Sequence, residues 1–102
     1  MRVVFSPEAR EEFEEAERYY KRQASQLGGE FRREIREAEA ATRLIQERPF
    51  AWQTEVELVR RFLFDRFPYK MLYIIRAERI VVIAVAHQHR QPDYWVDRVD
   101  HA

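Results

Sequence analysis

The chain begins with a short β-branched and aromatic run, Arg2-Val3-Val4-Phe5, that reads as a short strand. Ser6-Pro7-Glu8 ends it and opens a helix. A serine hydroxyl can accept a first-turn amide, and proline suits a first helical position that needs no amide hydrogen. Ala9, Phe13, Ala16 and Tyr20 then recur at helical spacing, with Glu8, Glu11 and Glu12 at the positive end of the helix dipole. Gly28-Gly29 interrupts the pattern, and Phe31, Ile35, Ala38, Thr42 and Ile45 form a second helical stripe that Pro49 closes. The short interruption predicts an antiparallel helical hairpin.

Beyond Phe50 the period changes from helical to alternating. Nine of the fourteen aromatics lie at or after Phe50, and β-branched residues replace alanine and glutamate, so the second half reads as sheet. Strands are expected near Leu58–Phe64, Tyr69–Arg76 and Arg79–His87, with Phe67-Pro68 between the first two and an Ala77-Glu78 turn between the last two. If Ile75 faces Ile80, Lys70, Leu72 and Ile74 share a face with Val81, Ile83, Val85 and His87. Tyr69, Met71 and Tyr73 then share the other face with Val82, Ala84 and Ala86. Gln91-Pro92 ends the last strand, and the polar tail Asp93–Ala102 has Tyr94-Trp95 as its apolar anchor. The expected fold class is α+β: a short N-terminal strand, an antiparallel helical hairpin and a three-stranded antiparallel sheet, in one domain spanning residues 1–102.

Composition narrows the chemistry. The chain has 102 residues, 46% apolar, which supports a packed core and argues against disorder. It has no cysteine, which excludes disulfides and thiolate chemistry. Eighteen basic residues balance eighteen acidic ones. That is unlike proteins held to nucleic acid chiefly through phosphates, which carry a positive excess. No apolar run reaches the roughly 18 residues of a membrane span and no signal peptide precedes Met1, so a soluble, cytoplasmic protein without membrane contact is expected.

The densest polar cluster is Ala86-His87-Gln88-His89-Arg90-Gln91-Pro92-Asp93-Tyr94-Trp95. Two histidines at i and i+2 on an extended chain point the same way. They could act as acid or base, but two histidines alone do not define a zinc geometry, so neither metal nor cofactor is expected. Arg60, Arg61, Arg66, Lys70 and Arg90 could converge on a phosphate, or could pair with acidic residues of the helices. Arg60 and Arg61, adjacent on a strand, must point to opposite faces. The Glu11–Glu17 run reads as a solvated face. Tyr19-Tyr20 and the hairpin surface offer a groove for a partner's helix or strand.

The order of elements, with Val4-Phe5-Ser6-Pro7-Glu8-Ala9, Tyr19-Tyr20, Phe31, Val59-Arg60-Arg61-Phe62, Phe67-Pro68-Tyr69-Lys70, Tyr73, the Val85–Trp95 segment and Arg98, resembles the RelE/ParE superfamily of toxins from type II toxin–antitoxin (plasmid-stabilisation) systems. The resemblance runs through nearly the whole chain. It implies a growth-inhibitory toxin neutralised by a cognate antitoxin. ParE-like members inhibit DNA gyrase without cutting a substrate, whereas RelE-like members cut mRNA on the ribosome. By position, the RelE-like alternative would use Arg61, Lys70 and Arg90 as cations, with Tyr94 or His89 as proton carriers. Lys70 stands where an arginine is frequent, and Tyr94 does not align cleanly with the catalytic tyrosine. The neutral charge and the well-capped hairpin favour the ParE-like expectation. A non-toxic protein-binding module is the remaining alternative.

Overall fold

The computed structural model describes residues 1–27, 40–64, 68–88 and 93–102, with the side chains of Tyr20 and residues 23–27 outside the description. Strand β1 (Arg2–Phe5) leads into helix α1 (Pro7–Leu27), and a second helical stretch, α2, covers residues 40–47. Strands β2 (Thr54–Val56), β3 (Val59–Leu63), β4 (Tyr69–Arg76) and β5 (Arg79–His87) follow, and a 3₁₀ helix spans Val96–His101. The expected start of α1 is present. Ser6 Oγ accepts the Ala9 amide at 3.1 Å, and the Arg10 amide bonds the Ser6 carbonyl at 2.9 Å. Phe31, Ile35, Ala38, Gly28 and Gly29, on which the expected hairpin turn rests, lie outside the described residues.

The sheet is larger than the expected three-stranded one. Its order is β1-β5-β4-β3-β2, five strands in all, with β1 parallel to β5 and the other pairs antiparallel. The antiparallel meander β3-β4-β5 is therefore the centre of a mixed sheet. Strand β1 joins it because Val3, Val4 and Phe5 find their partners in Ile80, Val81 and Val82, at the far end of the sequence. Strand β2 has only three residues with a charge in the middle, too few for alternation to reveal it.

Both sheet faces are covered. On one, Ala9 and Ala16 of α1 and Ala41 and Ile45 of α2 pack with Phe62, Phe64, Met71, Tyr73, Ile80, Val82 and Val85. On the other, Trp95 lies over Val59, Leu72, Ile74, Val81, Ile83 and Ala84, with Tyr94, Val99 and Ala102 partly buried beside it. The pairing of Ile75 with Ile80 is present, but the alternation inferred from it fails beyond Ile83. Tyr73 pairs Val82 while Leu72 pairs Ala84, so Ile83 is an extra residue. This β-bulge moves Val85 and His87 to the helix-covered face with Met71 and Tyr69, and Ala84 to the opposite one.

Candidate functional site

Three polar clusters decide what the molecule can do. The first begins where β1 stops. Strand β1 pairs with Arg79–Val82 only, and β5 continues five residues further. Beyond that point side chains take over the edge. Glu12 Oε1 accepts the Val85 amide at 3.1 Å, and Arg98 Nη1 donates to the Ile83 carbonyl at 3.0 Å. Arg98 also grips Glu12 with both terminal nitrogens, Nη1 to Oε1 at 2.7 Å and Nη2 to Oε2 at 3.3 Å. Tyr94 completes the group by donating its hydroxyl to Glu12 Oε2 at 2.6 Å. Among the described residues the carboxylate thus accepts hydrogen bonds from Val85, Tyr94 and both terminal nitrogens of Arg98. Burial opposes the Arg98 charge, but the hydrogen bond and charge of Glu12, with Tyr94 and Glu8, outweigh it and hold the guanidinium above its ordinary range.

Glu12 corrects the reading of Glu11–Glu17 as wholly solvated, since its side chain is only 13% exposed. The signal was present in the periodicity. Glu12 lies three residues after Ala9 and four before Ala16, inside the buried stripe of α1.

The second cluster lies on the face away from the helices. Lys70 Nζ donates to Glu55 Oε1 at 2.6 Å, with both side chains 14% exposed. Arg61 Nη1 lies 3.6 Å from Glu55 Oε2, and Arg61 Nη2 donates to Gln53 Oε1 at 2.9 Å. Arg60 points to the opposite face, as its adjacency requires, and its Nη1 donates to the Trp52 carbonyl at 2.6 Å and the Phe50 carbonyl at 3.3 Å. Among the described residues the partners of these cations come from β2 and the loop before it. Residue Glu55 was not legible as a partner because β2 itself was not.

The third feature is a cleft of about 270 Å³ between α1 and the end of the sheet, lined by Glu12, Glu15, Tyr19, Arg22, Tyr69 and His87 among others. His87 and Tyr69, paired across β4 and β5, meet edge to face with ring centroids 5.2 Å apart. Burial, and then the neighbouring Tyr19 and Glu15, push the Tyr69 hydroxyl above its ordinary range. Tyr19 is half exposed at the rim, where the sequence placed a groove for a partner.

Of the five sequence-derived site residues, Arg61 and Lys70 come together on Glu55. Tyr94 stands apart from them on Glu12. His89 and Arg90, and with them the expected His87–His89 pair, lie outside the described residues. Among the described residues no group of three or more metal-ligating side chains occurs, and no helix is long and apolar enough to cross a membrane.

A strand, a long capped helix and a meander whose edge is closed by side chains define a small α+β protein built on a mixed five-stranded sheet. Residues 3–92 match the family described as "ParE toxin of type II toxin-antitoxin system, parDE". The chain belongs to that family, within the RelE/ParE superfamily. Its fold is similar to a solved chain of the chromosomal ParDE toxin–antitoxin system from P. aeruginosa, with a TM-score of 0.67 and 14% identity. The likeness covers 85% of this chain and 95% of that one. No curated protein matches the sequence.

Proposed function

We propose that this type II toxin arrests growth without cutting RNA, by ParE-like inhibition of DNA gyrase in the cytoplasm, and that a cognate antitoxin neutralises it. The observation that carries this reading is the separation of Lys70 from Tyr94, each held by a different carboxylate. Ribonucleolytic cleavage needs cations on the phosphorane and a proton carrier within reach of the same phosphate. Here Lys70 is paired with Glu55 at 2.6 Å, while the Tyr94 hydroxyl donates to Glu12 at 2.6 Å, across the β5 edge. Both contacts build the fold and occupy the groups that a nuclease would turn toward its substrate. The balanced net charge supports the same reading, since a ribosome-directed nuclease gains from positive excess.

The antitoxin, in this reading, covers the helical face at the Tyr19–Tyr69–His87 cleft and the neighbouring sheet edge. Inducible expression in a bacterial host, with mapping of new RNA 5′ ends, tests the mechanism. Arrest with a DNA-damage response and no new ends is expected. New ends inside translated codons would instead establish the RelE-like alternative. Absence of any arrest would favour a protein-binding module.

A further inference from the structure

On the face opposite the helices, the turn between β2 and β3 and the 3₁₀ helix form the two walls of a second groove. Its volume is about 240 Å³, and it is lined by Val56, Glu57, Leu58, Val59, Trp95, Val96, Val99 and Asp100. The floor is core: Val59 and Trp95 are buried. The rims are not, for Val56 is 50%, Leu58 65% and Val96 45% exposed. Three large apolar side chains gathered at the mouth of one groove are unusual on a small soluble domain and mark an interaction surface.

Charge says what the surface accepts. Among the described residues of the lining, Glu57 and Asp100, both exposed, are the ionisable ones, and none is a cation. Arg76 is near but is turned to the 3₁₀ helix, where Nη2 donates to the Val99 carbonyl at 3.3 Å. Glu57 stands at the tip of the β2–β3 turn, its backbone in the left-handed conformation (φ 47°) uncommon for a residue with a Cβ. The Trp95 indole N–H of the floor is buried and has no acceptor among the described residues, so the floor also holds an unmet hydrogen-bond donor.

We propose that this groove docks a protein segment presenting one bulky apolar side chain between basic residues. The apolar group fills the space over Trp95 and Val59, and the flanking cations meet Glu57 and Asp100. The site is separate from the Glu12 and Glu55 clusters and does not depend on how the toxin acts.

The test uses the full ¹⁵N-labelled chain and two synthetic peptides, each with a central leucine, one flanked by lysines and one by glutamates. The indole N–H signals of Trp95 and Trp52 are followed by NMR. The lysine peptide should shift the Trp95 signal and leave that of Trp52 in place, and the glutamate peptide should do neither. Charge reversal by Asp100→Lys should weaken lysine-peptide binding about tenfold, and added salt should weaken it in the wild type. Leu58→Asp should also abolish binding, and its unperturbed Trp52 signal would show that the core is intact. The proposal is overturned if the Trp95 signal does not move at millimolar peptide, if both peptides bind alike, or if Asp100→Lys binds as the wild type does. A Trp95 shift that grows with protein concentration alone would assign the groove to a second copy and likewise overturn it.

Discussion

Glu12 and Val85, 73 residues apart, are joined by a hydrogen bond of 3.1 Å from the strand amide to the helix carboxylate. The contact exists because β1 is too short to accompany β5 to its end, which leaves the Val85 amide without a strand partner on that side. Arg98 reaches the same carboxylate from the C-terminal segment, so one ion pair ties the helical layer to the layer on the other face. A β-strand edge left open is a liability for small sheets, and here side chains stand in for the missing strand.

Removing Glu12 should therefore cost more than a surface ion pair. Glu12→Ala leaves the Val85 amide, the Arg98 guanidinium and the Tyr94 hydroxyl without this acceptor, and should lower unfolding stability by about 2–4 kcal/mol. Urea denaturation measures it. Measured against the single variants Glu12→Leu and Arg98→Met, the double variant should be less destabilised than their sum, by a coupling energy of about 1–3 kcal/mol. Strict additivity would show that the pair does not act as a unit.

Tyr73 ties the meander to the end of α2. It is fully buried, and its hydroxyl donates to the Pro49 carbonyl at 2.7 Å. Burial pushes its ionisation up to about 12, partly offset by the nearby Arg60 charge. The unfolded chain would release this proton near pH 10. The stability contributed by the protonated hydroxyl is therefore fully present below pH 10 and is lost as pH rises toward about 12. Tyr73→Phe should cost about 1 kcal/mol at neutral pH and flatten part of the alkaline decline, measured as the midpoint of urea unfolding against pH.

Two tight turns carry a residue in the left-handed region where glycine is the usual occupant. Glu57 (φ 47°) lies between paired Val56 and Val59, and Ala77 (φ 45°) lies between paired Arg76 and Arg79. A Cβ there costs about 1 kcal/mol, offset in part by the greater unfolded-state freedom of glycine. Ala77→Gly should raise the melting temperature slightly, by a gain of up to about 0.5 kcal/mol. A lower melting temperature would refute the strain at this turn.

Lys70 separates the mechanisms directly. Lys70→Met leaves Glu55 without its closest cation and should destabilise the fold by about 1–2 kcal/mol. In the non-nucleolytic reading, growth arrest per folded molecule persists, and Tyr94→Phe behaves likewise. Measuring arrest at matched soluble toxin levels checks this. Loss of arrest in both variants, with both still folded, would return Lys70 and Tyr94 to a catalytic set.

Local chemistry carried much of the architecture. The Ser6 cap, the apolar stripe of α1 and the extents of β4 and β5 are each set by neighbouring residues, and all were legible. The Ile75–Ile80 pairing could be named only as one register of the turn, because Ala77-Glu78 lacks the Asn-Gly chemistry that would fix it. The family resemblance was legible too, since it rests on the order of short motifs. Less could be read of the sites. Arg61 and Lys70 were recognisable as cations on a sheet, but their partner Glu55 sits on a three-residue strand with no periodicity to reveal it. The placement of Tyr94 depended on Glu12, which a run of glutamates concealed.

Those hidden features share a physical cause. The sequence by itself determined the elements that short-range forces favour: where a helix is capped, where a strand alternates, where a turn must fall. Only the tertiary structure decided that β1 lies parallel to β5 and that β2 extends the other edge. It also decided that one extra residue at Ile83 reverses the facing of Val85 and His87. Each of these depends on matching lengths and unpaired backbone groups between distant segments. An edge amide looks for any acceptor within reach, and which carboxylate arrives is settled by how far the neighbouring strand extends, a distance no local pattern records.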